Sequence, residues 1–188
     1  MDEGHELASH LCYHSDYNPD HVLSSKQKLE EISGTKIVGI RSPRLKTLDS
    51  HLIKEAGYHY DSSLNPTYIP NRYNNFNKSR KIVKHIGIII VPFSVATLFR
   101  IPLFWLSFKN MALKIYLFFC LKALKKDGYL HLYFHPWEFA DLNEFDIPVY
   151  IKKISGDKMC YKFDTFLQKI KKEGDFTTIR GFLTDIKI

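Results

Sequence analysis

The chain has 188 residues, of which 45% are apolar and 25% charged, which is typical of one globular domain and argues against a disordered tail or a fibrous repeat. Its 27 Lys and Arg residues exceed the 20 Asp and Glu residues, so the net charge is +7, and 14% of the residues are aromatic. This balance suits anionic or sugar-like partners, although surplus charge often serves solubility alone.

The cysteines and the amino terminus give information about the cellular compartment of the protein. Cys12, Cys120 and Cys160 are too few and too scattered for a disulfide framework or a metal knuckle, and they favour a reducing environment. The start at Met1 is polar and acidic and lacks the basic and apolar runs of a signal peptide. These features predict a cytoplasmic protein.

The first third of the chain alternates helical and strand patterns. Residues 24–33 and 47–56 have good helix propensity, and each stretch is followed by a glycine. Residues 36–40 and 58–61 are short and rich in β-branched or aromatic side chains, which predicts buried strands. This alternation predicts βα units and a largely parallel sheet.

The apolar stretch over residues 86–108 raises the question of a membrane span. It contains Arg100, and an arginine near the centre of a membrane helix costs about 2.5–3.5 kcal/mol. It also contains Pro92 and Pro102, each of which interrupts the helical hydrogen bonds. We therefore predict no transmembrane helix, while residues 104–106 leave a peripheral membrane contact open.

The remaining segments complete an α/β pattern. Residues 62–81 are rich in Asn, Pro and Tyr, which is typical of a loop, and long loops of this kind often carry function. The other predicted elements are strands at 87–91, 129–134 and 176–179 and helices at 110–125 and 162–172.

Polar residues follow three of the predicted strands. Arg41, Asp61 and His135 each lie at a predicted strand end, where parallel α/β sheets and barrels place their functional sites. Each also has a plain structural interpretation. Arg41 and Asp61 are compatible with a salt bridge between neighbouring loops, and His135 with a hydrogen-bonded structural histidine.

A pair of histidines near the amino terminus has the spacing of a metal site. His10 and His14 are four residues apart, which on a helical turn places both imidazoles on one face, as in many zinc sites. Two surface histidines would give the same pattern. Cys12 between them fits a packed thiol better than a third ligand.

Four motifs in order resemble the polysaccharide deacetylases, the NodB-homology carbohydrate esterases. They are GHELASHLCYH at residues 4–14, GIRSP at 39–43, AGYHYDSSLNP at 56–66 and LHLYFHPWEF at 130–139. The subgroup whose last motif reads His-Pro-Trp-Glu is most similar, and the resemblance covers about residues 2–140. It implies a deformed (β/α) barrel and the metal-dependent hydrolysis of N-acetyl groups on a polysaccharide or glycan.

The resemblance also implies roles for single residues. His10 and His14 correspond to two metal ligands, with zinc as the expected cation and cobalt or nickel as alternatives. Arg41 and Pro43 correspond to the motif whose arginine orients the catalytic carboxylate.

His135 corresponds to the general acid that protonates the departing amine. Asp61 corresponds to the aspartate that pairs with this histidine, although the usual Asp-x-x-Asp-Trp form is absent. The aromatic side chains of Tyr68 and Trp137 are candidates for contact with the sugar.

One family motif is not found in the sequence. The Thr-Phe-Asp strand end that supplies a third ligand and the catalytic base would precede Gly4, and the sequence KFDT at residues 162–165 lies at the wrong end to replace it. The sequence therefore predicts a single deacetylase-like domain over residues 1–188 that is truncated at its amino terminus. Its barrel would be incomplete, without the first strands, and its activity alone would be weak.

Two other interpretations remain open. The first is a non-catalytic sugar-binding remnant of the same fold, which would keep the aromatic side chains and lose the chemistry. The second is a basic protein that binds a membrane or a nucleic acid, but the Lys and Arg residues are spread along the chain with short runs alone. We therefore expect a glycan as the partner and no nucleic acid.

Overall fold

A computed structural model describes residues 4–11 and 18–186. The chain divides into two compact units. Unit 1 comprises Met1–Asn65, Lys81–Pro92 and Thr177–Ile188, and unit 2 comprises Pro66–Arg80 and Phe93–Phe176.

The described residues form a mixed α/β structure, as the sequence predicts. The helices are α1 (Asp20–Ser33), α2 (Ser50–Glu55), α3 (Trp105–Asn110), α4 (Leu113–Asp127), α5 (Val149–Lys152), α6 (Gly156–Ile170) and α7 (Ile179–Asp185). The strands are β1 (Gly39–Ile40), β2 (Tyr60–Asp61), β3 (Tyr68–Ile69), β4 (Tyr73–Asn74), β5 (Val83–His85) and β6 (Ile88–Ile90).

Unit 1 contains a small mixed sheet with the strand order β1-β2-β6-β5. β1, β2 and β6 are parallel, and β5 pairs with β6 in the antiparallel direction. No closed barrel is present in the described ranges, so the α/β class is confirmed but the incomplete barrel is not.

Apolar side chains cover both faces of this sheet. Ile37, Ile40 and Ile88 pack in one cluster with residues of α1 and α2, while Val38 and Tyr60 pack in another with residues that include Leu183 of α7. A parallel sheet that is buried on both faces needs such near-continuous apolar strands, which explains why short β-branched runs predicted β1 and β6.

Gly39 is held in close contact with the Tyr60 ring. A Cβ atom at residue 39 would lie 2.0 Å from Cζ of Tyr60, and this ring is itself buried. We expect Gly39→Ala to lower the free energy of unfolding by about 1–3 kcal/mol, because the ring must shift inside a packed core. Urea unfolding measures the change, and Gly174→Ala is the control because a Cβ atom there meets no atom within 4 Å.

The core of unit 2 is aromatic. Phe108 of α3 is fully buried, and its ring contacts the rings of Tyr116 in α4 and Phe166 in α6 at centroid distances of 5.1 and 5.6 Å. Edge-to-face pairs of this kind are favoured by the ring quadrupoles. The core therefore fixes α3, α4 and α6 against one another.

Two predicted strands are wrong. Residues 129–134 form no strand, because the His131 amide donates to the Ser94 hydroxyl at 2.9 Å rather than to a strand carbonyl. The residues just before α7 are not a strand either, since the Thr178 hydroxyl caps this helix by accepting a hydrogen bond from the Gly181 amide.

Other predicted elements are confirmed with shifted bounds. α1 begins at Asp20 rather than residue 24 and ends before Gly34, as predicted. The helix predicted from residue 110 begins at Leu113, after the separate helix α3. The loop predicted over residues 62–81 contains the short antiparallel pair of β3 and β4.

In the part of the chain that the structure describes, no helix combines the length and the apolar character that a bilayer crossing requires. The apolar stretch 86–108 instead contributes β6 and α3, with residues 104–106 half-buried.

Candidate functional site

Three residues selected by the motifs meet at one edge of the unit 1 sheet. The parallel register pairs Ile40 with Asp61, so Arg41 follows β1 beside the end of β2. Ser9 forms a parallel bridge with Ile40, and its carbonyl accepts a hydrogen bond from the Arg41 amide at 2.8 Å. Because His10 follows Ser9, its side chain reaches this edge as well.

His10 is oriented by the backbone at this edge. Its Nδ1 atom lies 3.0 Å from the Arg41 carbonyl oxygen, which is a hydrogen-bond acceptor. A carbonyl oxygen can only accept, so Nδ1 carries a proton in this contact. A carbonyl partner on the other ring nitrogen is typical of histidines that bind metals. The geometry of His10 thus fits a ligand role.

Asp61 is buried and held by Ser63. Its Oδ1 atom accepts hydrogen bonds from the amide of Ser63, at 2.8 Å, and from the hydroxyl of the same residue. Burial raises the pKa of Asp61, while the two bonds from Ser63 and the positive charge of Arg41 oppose the increase. The burial of Asp61 away from water therefore favours the protonated form of its carboxyl group.

Arg41 and Pro43 are placed by the same loop contacts. The Arg41 Nε donates to the Ser62 hydroxyl at 3.1 Å, and the Ser42 amide donates to the Ser63 hydroxyl at 2.9 Å. Pro43 is buried at the start of the 3-10 turn Pro43–Leu45. The two loops after β1 and β2 are thus tied together, and Pro43 supports the backbone there.

In unit 2, His135 is paired with Glu138. His135 Nδ1 lies 2.5 Å from Glu138 Oε1, and the Glu138 amide donates to the His135 carbonyl at 3.1 Å. Pro136 begins the 3-10 turn Pro136–Phe139, which places residues 135 and 138 side by side. The His135 side chain is 41% exposed, whereas that of Glu138 is fully buried. The pair therefore presents a reachable imidazole backed by a buried carboxyl group.

Glu138 lies in the interior of unit 2. Its Oε2 atom is buried and has no hydrogen-bond partner among the described residues. Burial raises the pKa of Glu138, and the hydrogen bond and charge of His135, with the charge of Lys109, oppose the increase. Lys109 is also fully buried, and burial lowers its pKa.

We expect the buried carboxyl group of Glu138 to make stability depend on pH. With a pKa raised above its ordinary value of 4.5 in the folded chain, Glu138 binds its proton more tightly when folded than when unfolded. The free energy of unfolding then decreases as the pH rises from 4.5 through the folded pKa. Glu138→Gln should make this decrease shallower, with the remainder coming from groups such as Asp61.

Urea unfolding across the pH range measures this dependence. Glu144→Gln is the matched control, because the Glu144 side chain is exposed in the folded chain and in the unfolded chain alike. Parallel stability curves for wild type and Glu138→Gln would contradict the prediction.

Aromatic rings surround His135. The ring of Trp137 stacks on that of His135 at a centroid distance of 5.7 Å, and Trp105 contacts Trp137 edge-on at 5.3 Å. Trp137 is 43% exposed, and Tyr68 in β3 is 55% exposed. Exposed indole and phenol rings can stack on the apolar faces of sugar rings.

The sequence resemblance assigned Asp61 as the partner of His135. The structure gives each of these residues a partner inside its own unit, Ser63 for Asp61 and Glu138 for His135. The sequence motifs gave Glu138 no catalytic or binding role, so this contact was missed. The sequence feature that could have revealed the contact is the three-residue spacing of His135 and Glu138 around Pro136. One 3-10 turn brings residues with this spacing together.

Of the two expected metal ligands, one lies in the part of the chain that the structure describes. His10 is placed as described above, and His14 lies outside the described residues. Over residues 4–11 and 18–186, no group of three or more His, Cys, Asp or Glu side chains is arranged to hold a metal ion. One imidazole does not make a divalent-metal site, and the second expected ligand, His14, lies outside these ranges.

We compared the chain with known proteins in three ways. Neither the family models nor the curated proteins nor the solved structures gave a match.

Proposed function

We propose that the chain is a hydrolase similar to the polysaccharide deacetylases, which removes N-acetyl groups from a polysaccharide or glycan. The observation that supports this best is the edge of the unit 1 sheet. His10, Arg41 and Asp61 come from three separate motifs, and the parallel register and the Ser9 bridge bring them to one edge.

In this proposal His135 protonates the departing amine. Its Nδ1 atom is engaged by Glu138, so Nε2 is the nitrogen that gives the proton to the substrate nitrogen as the C–N bond breaks. The water that attacks the acetyl carbon supplies the second oxygen of the acetate, and the protons of this water pass to the solvent. Glu138 acts as a positioning residue, because it fixes the orientation of the ring.

Arg41 and Asp61 interact electrostatically at the edge of the unit 1 sheet. The guanidinium of Arg41 supplies a fixed positive charge near the Asp61 carboxyl group, and the hydroxyl of Ser62 orients it. In the family this arginine orients the catalytic carboxylate of the Thr-Phe-Asp motif; in this chain we propose that its charge acts on Asp61.

The proposal includes a divalent cation, zinc or alternatively cobalt or nickel, with His10 and His14 as ligands. Such a cation, when bound, polarises a carbonyl group and lowers the pKa of a bound water. His10 contributes an oriented imidazole through its bond to the Arg41 carbonyl. The three scattered cysteines favour the cytoplasm as the place of action.

Acetate release from an N-acetylated chitooligosaccharide tests the proposal. We expect slow release that increases with Zn²⁺ or Co²⁺, because the Thr-Phe-Asp motif is absent from this sequence. His10→Ala should lower the rate at least tenfold, as loss of a metal ligand does. His51→Ala is the control, since His51 is exposed in α2. Release that is insensitive to the metal and to His10→Ala would contradict the assignment.

The exposed aromatic residues support a second candidate, a non-catalytic sugar-binding protein. Trp137 and Tyr68 are exposed in unit 2 and could hold a glycan without any hydrolysis. Calorimetric titration with the same oligosaccharide distinguishes the two. Binding without metal that Trp137→Ala abolishes, together with no acetate release, would favour this candidate.

A further inference from the structure

The exposed side of α4 carries apolar side chains that the core of unit 2 does not use. Ile115, Phe118 and Leu121 are 52%, 51% and 36% exposed. They are spaced at intervals of three residues, so they lie along one side of the helix. A contiguous apolar patch on an exposed helix is a common mark of an interaction surface.

Lysines are interleaved with these apolar residues. Lys114, Lys122, Lys125 and Lys126 are all exposed on the same side, and the Lys122 ammonium lies 4.5 Å from the centre of the Phe118 ring. α4 has one acidic residue, Asp127, whose carboxylate is bonded by Arg80 at 2.5 and 2.6 Å. The lysine charges on this side are therefore not offset by a carboxylate of the same helix.

The orientation of α4 is fixed by its other side. Tyr116, Cys120 and Ala123 are fully buried in the core of unit 2. Rotating the helix to bury Ile115 or Phe118 would expose these three residues to water. The exposed side, which we name the basic-apolar face, is therefore a constant feature of unit 2.

We propose that the basic-apolar face of α4 binds the surface of an anionic lipid bilayer. The lysines would contact the anionic headgroups, and Ile115, Phe118 and Leu121 would enter the boundary between headgroups and acyl chains. The helix has 15 residues and lies in the interface, because it is too short and too basic to cross the bilayer.

The apolar residues favour a bilayer over a nucleic acid. A nucleic-acid backbone would engage the lysines but would leave the aliphatic side chains of Ile115 and Leu121 in water. A bilayer engages both sets of side chains. This inference does not depend on the proposed hydrolysis, because His135 and Glu138 take no part in it.

Co-sedimentation of the full chain with lipid vesicles tests the proposal. We expect binding to vesicles of mixed phosphatidylserine and phosphatidylcholine and much weaker binding to phosphatidylcholine alone. Each lysine near an anionic surface strengthens binding by about fivefold, so neutralising Lys122 and Lys125 with glutamine should weaken it by about thirtyfold. Phe118→Ser should weaken it with no change in net charge.

The matched control changes the same charge elsewhere. The double variant Lys54→Gln and Lys84→Gln, at two exposed positions in unit 1, removes two positive charges without changing α4. Circular dichroism shows whether each variant is folded. Should Phe118→Ser not fold, the lysine variants alone decide the question.

Three results would overturn the proposal. One is equal loss of binding in the control and in the Lys122 and Lys125 variant, which would indicate a diffuse charge effect. Another is binding to both kinds of vesicle alike. The third is tighter binding to a single-stranded RNA that competes with the vesicles and needs the lysines but not Phe118.

Discussion

His135→Ala is expected to reduce acetate release by about 10²- to 10⁴-fold, because the departing amine would lose its proton donor. The structure supports this role by leaving the imidazole 41% exposed while Glu138 engages its other nitrogen. The measurement is the initial rate of release from the N-acetylated oligosaccharide with Zn²⁺. A rate within a few fold of the wild type would show that His135 is structural.

Glu138→Gln separates positioning from folding. The amide keeps the shape of the side chain but has no negative charge beside His135, so the rate should decrease by less than in His135→Ala. The pH dependence of the rate should also shift, which a purely structural role would not produce. His85→Ala, at an exposed position in β5, is the control for a general effect of losing a histidine.

Phe108→Ala is expected to have the largest effect on stability. Phe108 is fully buried, and its ring contacts Tyr116, Phe134, Phe163 and Phe166. Removing this ring leaves a cavity among helices that cannot collapse freely. The free energy of unfolding should therefore decrease by about 3–5 kcal/mol, as measured by urea unfolding.

The control for this change is a phenylalanine of the neighbouring helix. Phe118 of α4 is 51% exposed, so Phe118→Ala should change the free energy of unfolding by about 0.5 kcal/mol or less. If the two variants lost similar stability, the aromatic cluster around Phe108 would not be the core of unit 2.

Local sequence patterns predicted two kinds of element correctly. These are helices that end at a glycine and strands that consist of a short apolar run. Gly34 correctly marked the end of α1, since its left-handed φ of 62° suits a glycine. The buried runs around β1 and β6 were found because a strand buried on both faces is apolar throughout. Helix α3 was not predicted, and the helix predicted from residue 110 begins three residues later, at Leu113.

Features that depend on distant partners could not be predicted. Residues 129–134 alternate like a strand, yet the His131 amide is taken by the side chain of Ser94, far away in the chain. His10 was selected by its spacing from His14, but its actual neighbour, the Arg41 carbonyl, depends on the Ser9 bridge. The importance of Glu138 follows from its burial, which the residue type does not reveal.

The path of the chain limits how the protein can be divided. The assignment changes from one unit to the other after Asn65, Arg80, Pro92 and Phe176, so neither unit is a continuous stretch of sequence. A fragment from residue 93 to 176 would lack Arg80, whose guanidinium neutralises the nearly buried carboxylate of Asp127. An uncompensated buried charge costs about 3–5 kcal/mol, so such a fragment would be aggregation-prone when expressed. Dissecting the protein into separately folding parts therefore requires circular permutation or a designed linker rather than simple deletion.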